Sequence, residues 1–162
     1  MPGHEAIVRT AANLVALLQA RGLTCATAES CTGGGVGAAL TAVPGSSAVF
    51  AGGVISYSNE VKHEVLGVPS ETLAAVGAVS AETAAAMAEG ARRLLKVDCA
   101  VSVTGIAGPG GGSPEKPVGL VWFGLATAQG SRSERCLFRG GRDEVRAQAV
   151  MHALGMLTAA AV

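Results

Sequence analysis

Apolar residues recur at helical spacing near the start of the chain, at Ile7, Ala11, Leu14 and Leu18, with Val8 and Leu17 beside them. This predicts a helix over about residues 5–21, and Gly22 supplies its stop. Leu23–Ala28 is a short apolar run that predicts a strand. Thr32 to about Ala42 reads as a short helix opened by glycines and closed by Pro44-Gly45-Ser46-Ser47. Val49–Ser56 is a second strand, in which Gly52-Gly53 marks a bulge or a close backbone approach. Ser58 caps a short helix that carries Lys62 and ends near Gly67. Ser70–Val76 adds one or two helical turns, and Ser80 caps an alanine-rich helix to about Lys96. Ala100–Val103 is a third strand. A glycine- and proline-rich loop follows over Gly108–Pro117. Val118–Thr127 and Glu134–Phe138 form a hairpin about Gln129-Gly130, and Asp143 caps a last helix.

Helices between the first three strands imply parallel crossovers, and the hairpin adds antiparallel pairing. The expected fold class is α/β, a three-layer α/β/α sandwich with a mixed, mostly parallel sheet of about five strands. Residues 1–162 read as one domain, the usual size for a chain of 162 residues.

Composition narrows the function. Hydrophobic residues are 49% of the chain and aromatics 3%, so the core is built from Ala, Val and Leu. The formal net charge is zero, which disfavours a dedicated nucleic-acid surface. Cys25, Cys31, Cys99 and Cys136 have no CxxC spacing, and three scattered histidines complete no zinc set, so no metal is expected. The cysteines read as reduced and structural, as in a cytoplasmic protein. Met1-Pro2-Gly3-His4-Glu5 does not open a signal peptide, and no apolar run is long enough to span a membrane.

Ser30 stands out, in Ala28-Glu29-Ser30-Cys31-Thr32-Gly33-Gly34. It lies at a strand-to-helix turn, where backbone N–H groups of Thr32, Gly33 and Gly34 can hold an oxyanion. It serves either as a helix cap or as a nucleophile. Cys31 is a rival nucleophile, because a thiol at a helix N-terminus has a depressed pKa. Tyr57-Ser58-Asn59-Glu60-Val61-Lys62 follows the second strand and so reaches the same sheet edge, where ligands gather in open α/β folds. Lys62 is either a solvated surface lysine or a desolvated base for Ser30. Tyr57 packs on the strand, relays that proton or donates to a substrate. His63 is the one histidine placed near Ser30 and ranks below Lys62 as a base. Thr104, Gly105 and Gly108 belong either to a flexible approach loop or to a cradle of unobstructed N–H groups for a ribose or phosphate. Arg139, Arg142 and Arg146 near the last helix either hold a phosphate or pair with Asp143 and Glu144.

Taken together, these segments resemble the carboxy-terminal domain of the CinA family of competence- and damage-inducible proteins. The likeness is carried by Ala28–Gly34, by Gly53–Lys62, by Gly105–Pro109 through Lys116-Pro117-Val118-Gly119, and by Arg142–Arg146. The resemblance implies hydrolysis of nicotinamide mononucleotide to nicotinate mononucleotide and ammonia. It implies a serine amidase in which Ser30 acts with Lys62 and Tyr57, without metal or cofactor. Substrate contacts then fall to Thr32, Gly33, Gly34, Thr104, Gly105, Gly108, Arg142 and Arg146. The partner is a small pyridine mononucleotide, with no nucleic acid and no membrane. The alternative is a non-catalytic nucleotide-binding or regulatory module using the same pocket. The alanines of the helix around Ala84–Ala91 either pack on a neighbouring copy, which predicts a homo-oligomer, or face the sheet.

Overall fold

The computed structural model describes residues Met1–Val162. Its elements run in the order α1 (His4–Arg21), β1 (Cys25–Glu29), α2 (Gly35–Thr41), a 3₁₀ turn (Ser46–Ala48), β2 (Phe50–Ile55), α3 (Asn59–Glu64), α4 (Ser70–Val76), α5 (Ala81–Leu95), β3 (Cys99–Gly105), β4 (Leu120–Thr127), β5 (Gly130–Leu137) and α6 (Arg142–Ala161). One five-stranded sheet has the order β2-β1-β3-β4-β5. β1 pairs parallel with β2 and β3, and β4 pairs antiparallel with both β3 and β5.

β1 is central to the parallel part and buried along its whole length. Its chain crosses outward to β2 and then returns past β1 to β3, so the carboxyl ends of all three open at one place. One face of the sheet is covered by α1, α2 and α6, with Leu14, Leu18, Leu40, Phe123 and Leu154 in a common core. The other face is covered mainly by α5, through Met87 and Ala91, which pack with Leu66, Val68 and Ala26. This is the expected three-layer arrangement.

Several boundaries differ for identifiable reasons. β5 starts at Gly130 rather than Glu134, since pairing with β4 extends to Thr127 opposite Gly130. The charges at Arg132, Glu134 and Arg135 sit on an outer-edge strand, which tolerates them. β4 starts at Leu120, because Gly119 turns at a φ of 95° beside the Phe138 carbonyl. The last helix starts at Arg142 after Gly141. Asp143 therefore lies inside its first turn, and it is the Glu144 carboxylate that accepts the Gly141 N–H at 3.3 Å. Ser58 and Ser80 do cap, accepting from Val61 and Thr83 at 3.1 and 3.2 Å. Ala84, Ala88 and Ala91 are fully buried within the chain, so they are not the surface patch on which an oligomer was expected.

Gly90 of α5 allows the closest of these contacts, because its α-carbon lies against the Leu66 backbone and a Cβ there would collide with the Leu66 carbonyl. That contact seats the segment after α3. Gly155 of α6 faces open space. The same Gly→Ala change is therefore expected to act with opposite signs. Gly155→Ala should stabilise by about 0.5–1 kcal/mol through helix propensity, while Gly90→Ala should destabilise by about 1–3 kcal/mol through overpacking. Urea denaturation of both variants measures this.

Candidate active site

Ser30 follows directly on β1. Its N–H donates to the Val103 carbonyl at 2.9 Å, so the β1–β3 pairing carries on into Ser30. The chain then turns, with the Gly33 N–H donating to the Ser30 carbonyl at 3.1 Å. Gly33 and Gly34 have φ of 58° and 100°, a region that residues with a Cβ seldom occupy. This delays α2 to Gly35, three residues later than the pattern predicts.

Glu29 is the residue that sequence reasoning missed. It is buried at the end of β1, and its carboxylate accepts from the Thr32 hydroxyl at 2.7 Å and from the Val36 and Gly37 N–H groups at 2.9 and 3.0 Å. An acidic residue at the end of an otherwise apolar strand was the available signal. A carboxylate at a helix N-terminus is favoured by the unpaired amides and the dipole there. Those α2 amides are therefore spent on Glu29 and do not wait for an oxyanion. Gly33 is likewise committed within the turn, which removes it from the expected oxyanion donors. The N–H groups of Cys31, Thr32 and Gly34 have no acceptor in the protein.

Lys62 comes from α3. Ser56, just past β2, donates its N–H to the Glu29 carbonyl at 2.8 Å, and Ser58 then caps the helix. The Lys62 side chain runs inward and is 1% exposed. Its Nζ lies 2.7 Å from the Ser56 carbonyl, 3.1 Å from the Tyr57 carbonyl and 3.0 Å from Ser30 Oγ. No carboxylate pairs with it, because the ion pairs of the structure join Glu134 to Arg132 and to His152. Burial lowers its pKa from the ordinary 10.5. A neutral amine has two hydrogens and one lone pair. In that form the two carbonyls would take the hydrogens and the lone pair would face the Ser30 hydroxyl. The surface-lysine alternative is thereby excluded.

Beside the pair lies a cavity of about 210 Å³. Its polar lining comes from Ser30, Tyr57, Asn59, Lys62, Thr104 and Arg142, and Ala78, Val79 and Ala107 add apolar wall. The structure therefore brings Ser30, Lys62, Thr104, Gly105 and Arg142 to one place. Tyr57 stands at the rim, 64% exposed, and its hydroxyl bonds to neither Ser30 nor Lys62. It holds the lysine by its backbone carbonyl instead. Thr104 is buried and its hydroxyl donates to the Ala78 carbonyl at 2.9 Å. Arg142 donates to the Gly108 carbonyl at 2.7 Å and so fixes the start of the glycine-rich loop. Asn59, to which the sequence assigns no role, also reaches the cavity.

Three expectations change. Arg146 does not line the cavity. Its guanidinium donates to the Cys31 and Thr32 carbonyls at 3.1 and 3.3 Å and braces the turn from α6. Cys31 is not an activated thiol, since burial pushes it up to about 11, so it stays protonated at neutral pH. His63 has Nδ1 against the Val68 carbonyl at 2.7 Å and is not a cavity residue. Cys25 and Cys99 are buried strand thiols, as expected, and all four cysteines are free. No helix is long and apolar enough to cross a membrane.

Comparison with known proteins follows the same lines. The CinA C-terminal domain family model matches residues 8–161. A nicotinamide-nucleotide amidohydrolase, PncC, of Escherichia coli K12 is 54% identical over 141 residues, covering 86% of this chain and 86% of that protein. A putative competence-damage inducible protein of Caldanaerobacter subterraneus subsp. tengcongensis is 54% identical over 144 residues, which is 89% of this chain and 35% of that protein. The chain thus spans about a third of the length of relatives of the second kind. The crystal structure of the competence/damage inducible protein CihA from Agrobacterium tumefaciens superposes with a TM-score of 0.93 at 45% identity, over 98% of this chain and 96% of that one. The chain belongs to the CinA C-terminal domain family.

Proposed function

We propose that this chain is an amidohydrolase that converts nicotinamide mononucleotide to nicotinate mononucleotide and ammonia, with Ser30 as nucleophile and Lys62 as base. The observation that carries the reading is a buried amine with no carboxylate partner, 3.0 Å from a serine hydroxyl at the wall of a cavity. A binding module has no need of such a pair. The 54% identity to a protein named for this activity supports the choice of substrate.

Ser30 Oγ bonds to the carboxamide carbon, and its proton passes to Lys62 Nζ. The carbonyl oxygen takes up negative charge, and the unpaired N–H groups of the Cys31–Gly34 turn are the donors on hand to stabilise it. Such donors contribute several kcal/mol in comparable sites. The C–N bond then breaks, with Lys62 returning its proton to the leaving group, so ammonia departs and an ester to Ser30 remains. Water attacks that ester, gives its proton to Lys62, and Ser30 leaves with that proton. No group other than Ser30 and Lys62 needs to exchange a proton. Tyr57 meets the substrate at the cavity rim. Arg142, with donors left after its bond to Gly108, meets the phosphate. Arg146 is a positioning residue for the turn. The chain works as a cytoplasmic enzyme without cofactor in this reading.

Ammonia release from nicotinamide mononucleotide is the direct test. Ser30→Ala should lose at least about 10³-fold in kcat, since the nucleophile acts as a unit with its base, while Cys31→Ala should keep most of the activity. The reverse result would move the nucleophile to the thiol.

The lowered pKa of Lys62 gives a second test. Activity should rise with pH as the amine loses its proton, and the rise should lie below 10.5, the ordinary value. Stability follows the same group. Above 10.5 the amine is neutral whether folded or unfolded. As pH falls through the window below that value, the unfolded chain takes up a proton that the folded chain refuses, so stability is lost until the folded pKa is passed. Lys62→Met removes this penalty. Its stability relative to the parent should therefore be most favourable at neutral pH and decline as pH approaches 10.5. The Ser56 and Tyr57 carbonyls left without a donor add an offset that does not vary with pH. A difference that is flat across this range, measured by urea denaturation, would show that Lys62 titrates normally.

A further inference from the structure

We propose that Thr104 is the group that tells amide from acid in this pocket, accepting an N–H of the substrate carboxamide and opposing the carboxylate of the product. The inference rests on the proposed function and names how the same site chooses its ligand.

Thr104 sits one residue before the end of β3, next to Val103, whose carbonyl receives the Ser30 N–H. Ser102 and Thr104 alternate onto the same side of the sheet, where their hydroxyls reach the Ala84 and Ala78 carbonyls. Thr104 is 1% exposed, and both it and Ala78 line the cavity. A backbone carbonyl can only accept. The single hydroxyl hydrogen of Thr104 is therefore committed to Ala78 at 2.9 Å. What remains on Oγ1 is lone pairs alone. Thr104 thus offers the cavity a fixed acceptor that cannot turn round to become a donor.

The polarity of this acceptor matters because of what the reaction changes. A carboxamide brings two N–H donors into the pocket, and the product carboxylate brings none. Burial disfavours the charged form of Lys62, and its hydrogens are directed at the Ser56 and Tyr57 carbonyls, so it is a poor counter-charge for a carboxylate. A buried acceptor facing a carboxylate oxygen leaves both without a partner, whereas facing an amide it satisfies both. A site whose polar group is matched to a substrate N–H rejects the analogue that lacks it. The same atom thus helps hold the substrate and helps expel the product.

The test separates this from the catalytic proposal by measuring binding without turnover. Calorimetry on Ser30→Ala compares nicotinamide mononucleotide with nicotinate mononucleotide, and then repeats the pair on Ser30→Ala/Thr104→Val and Ser30→Ala/Thr104→Ser. The preference for amide over acid should fall by about tenfold with valine and persist with serine, which keeps both the donor to Ala78 and the acceptor. A valine variant that binds both ligands more weakly in parallel, with the preference unchanged, overturns the proposal and assigns Thr104 to fold support. A ligand-side probe covers the case in which the valine protein does not fold. 3-Acetylpyridine mononucleotide keeps the carbonyl and lacks the N–H donors, and it should bind Ser30→Ala more weakly than the amide by a similar factor. Equal affinity of ketone and amide overturns the proposal as well. Absence of ammonia release by the unmodified protein would refute the activity while leaving the binding preference readable on its own.

Discussion

An uncompensated amine held in a dry place is the constraint on which the rest of this site depends. Lys62 is among the largest fully buried side chains in the protein, beside Phe123 and the core leucines. Burying a cation without a counter-charge is costly, and this cost lowers the Lys62 pKa and favours the neutral amine. The fold enforces this by what it withholds as much as by what it supplies. Two backbone carbonyls and one hydroxyl surround Nζ, and all three can be satisfied by a neutral amine. A carboxylate in place of one carbonyl would favour the charged form instead.

That requirement explains where the nearby charges are placed. Glu29 is a buried residue next to Ser30 in the chain, and a free carboxylate there would raise the lysine pKa. Its two oxygens are instead occupied by the start of α2 and the Thr32 hydroxyl. The helix N-terminus takes up the negative charge locally. Arg146 meets the turn from the other side and spends its donors on the Cys31 and Thr32 carbonyls. One anion and one cation thus clamp a five-residue turn whose own sequence, with glycines at 33 and 34, has little stiffness. The turn that carries Ser30 is thus braced from both sides.

The sequence disclosed the layers and the sheet edge because these follow from period and chain order. Apolar runs alternating with helical patterns place Ser30 and Tyr57 just after β1 and β2 and Thr104 at the carboxyl end of β3, and parallel pairing brings those ends together. It also pointed to Ser30 and Lys62, whose side chains meet at 3.0 Å. It was silent on direction, meaning which way a side chain turns at a given place. Nothing in the spacing shows that Arg142 opens to the cavity while Arg146, one turn later, turns to the Ser30 loop. Helical position fixes the separation of two side chains but not what the opposite layer presents to each. The Cys31 thiol failed for a related reason. A helix start lowers a thiol pKa only where the thiolate stays solvated, and burial of Cys31, with the Glu29 charge nearby, outweighs the backbone N–H and the Arg146 and Lys62 charges that act the other way. The hairpin boundary was missed because exposed charges on an edge strand carry no period of two.

Size completes the argument about how a nucleotide would use this site. A cavity of about 210 Å³ is below the roughly 300–1,000 Å³ of pockets that engulf drug-sized ligands. On the proposed reading, the pyridine carboxamide enters and the ribose and phosphate stay outside, toward Arg142 and the loop it fixes at Gly108. The two ends of the ligand then meet different physics. At the exposed end, charge attraction is screened by water and contributes mainly orientation and encounter. At the buried end, each polar atom must be matched or it costs the full desolvation penalty. Chemical choice therefore belongs to the buried end, where Lys62, Ser30 and Thr104 each have their hydrogens assigned before a ligand arrives. A pocket prepared in this way can be small and selective at once.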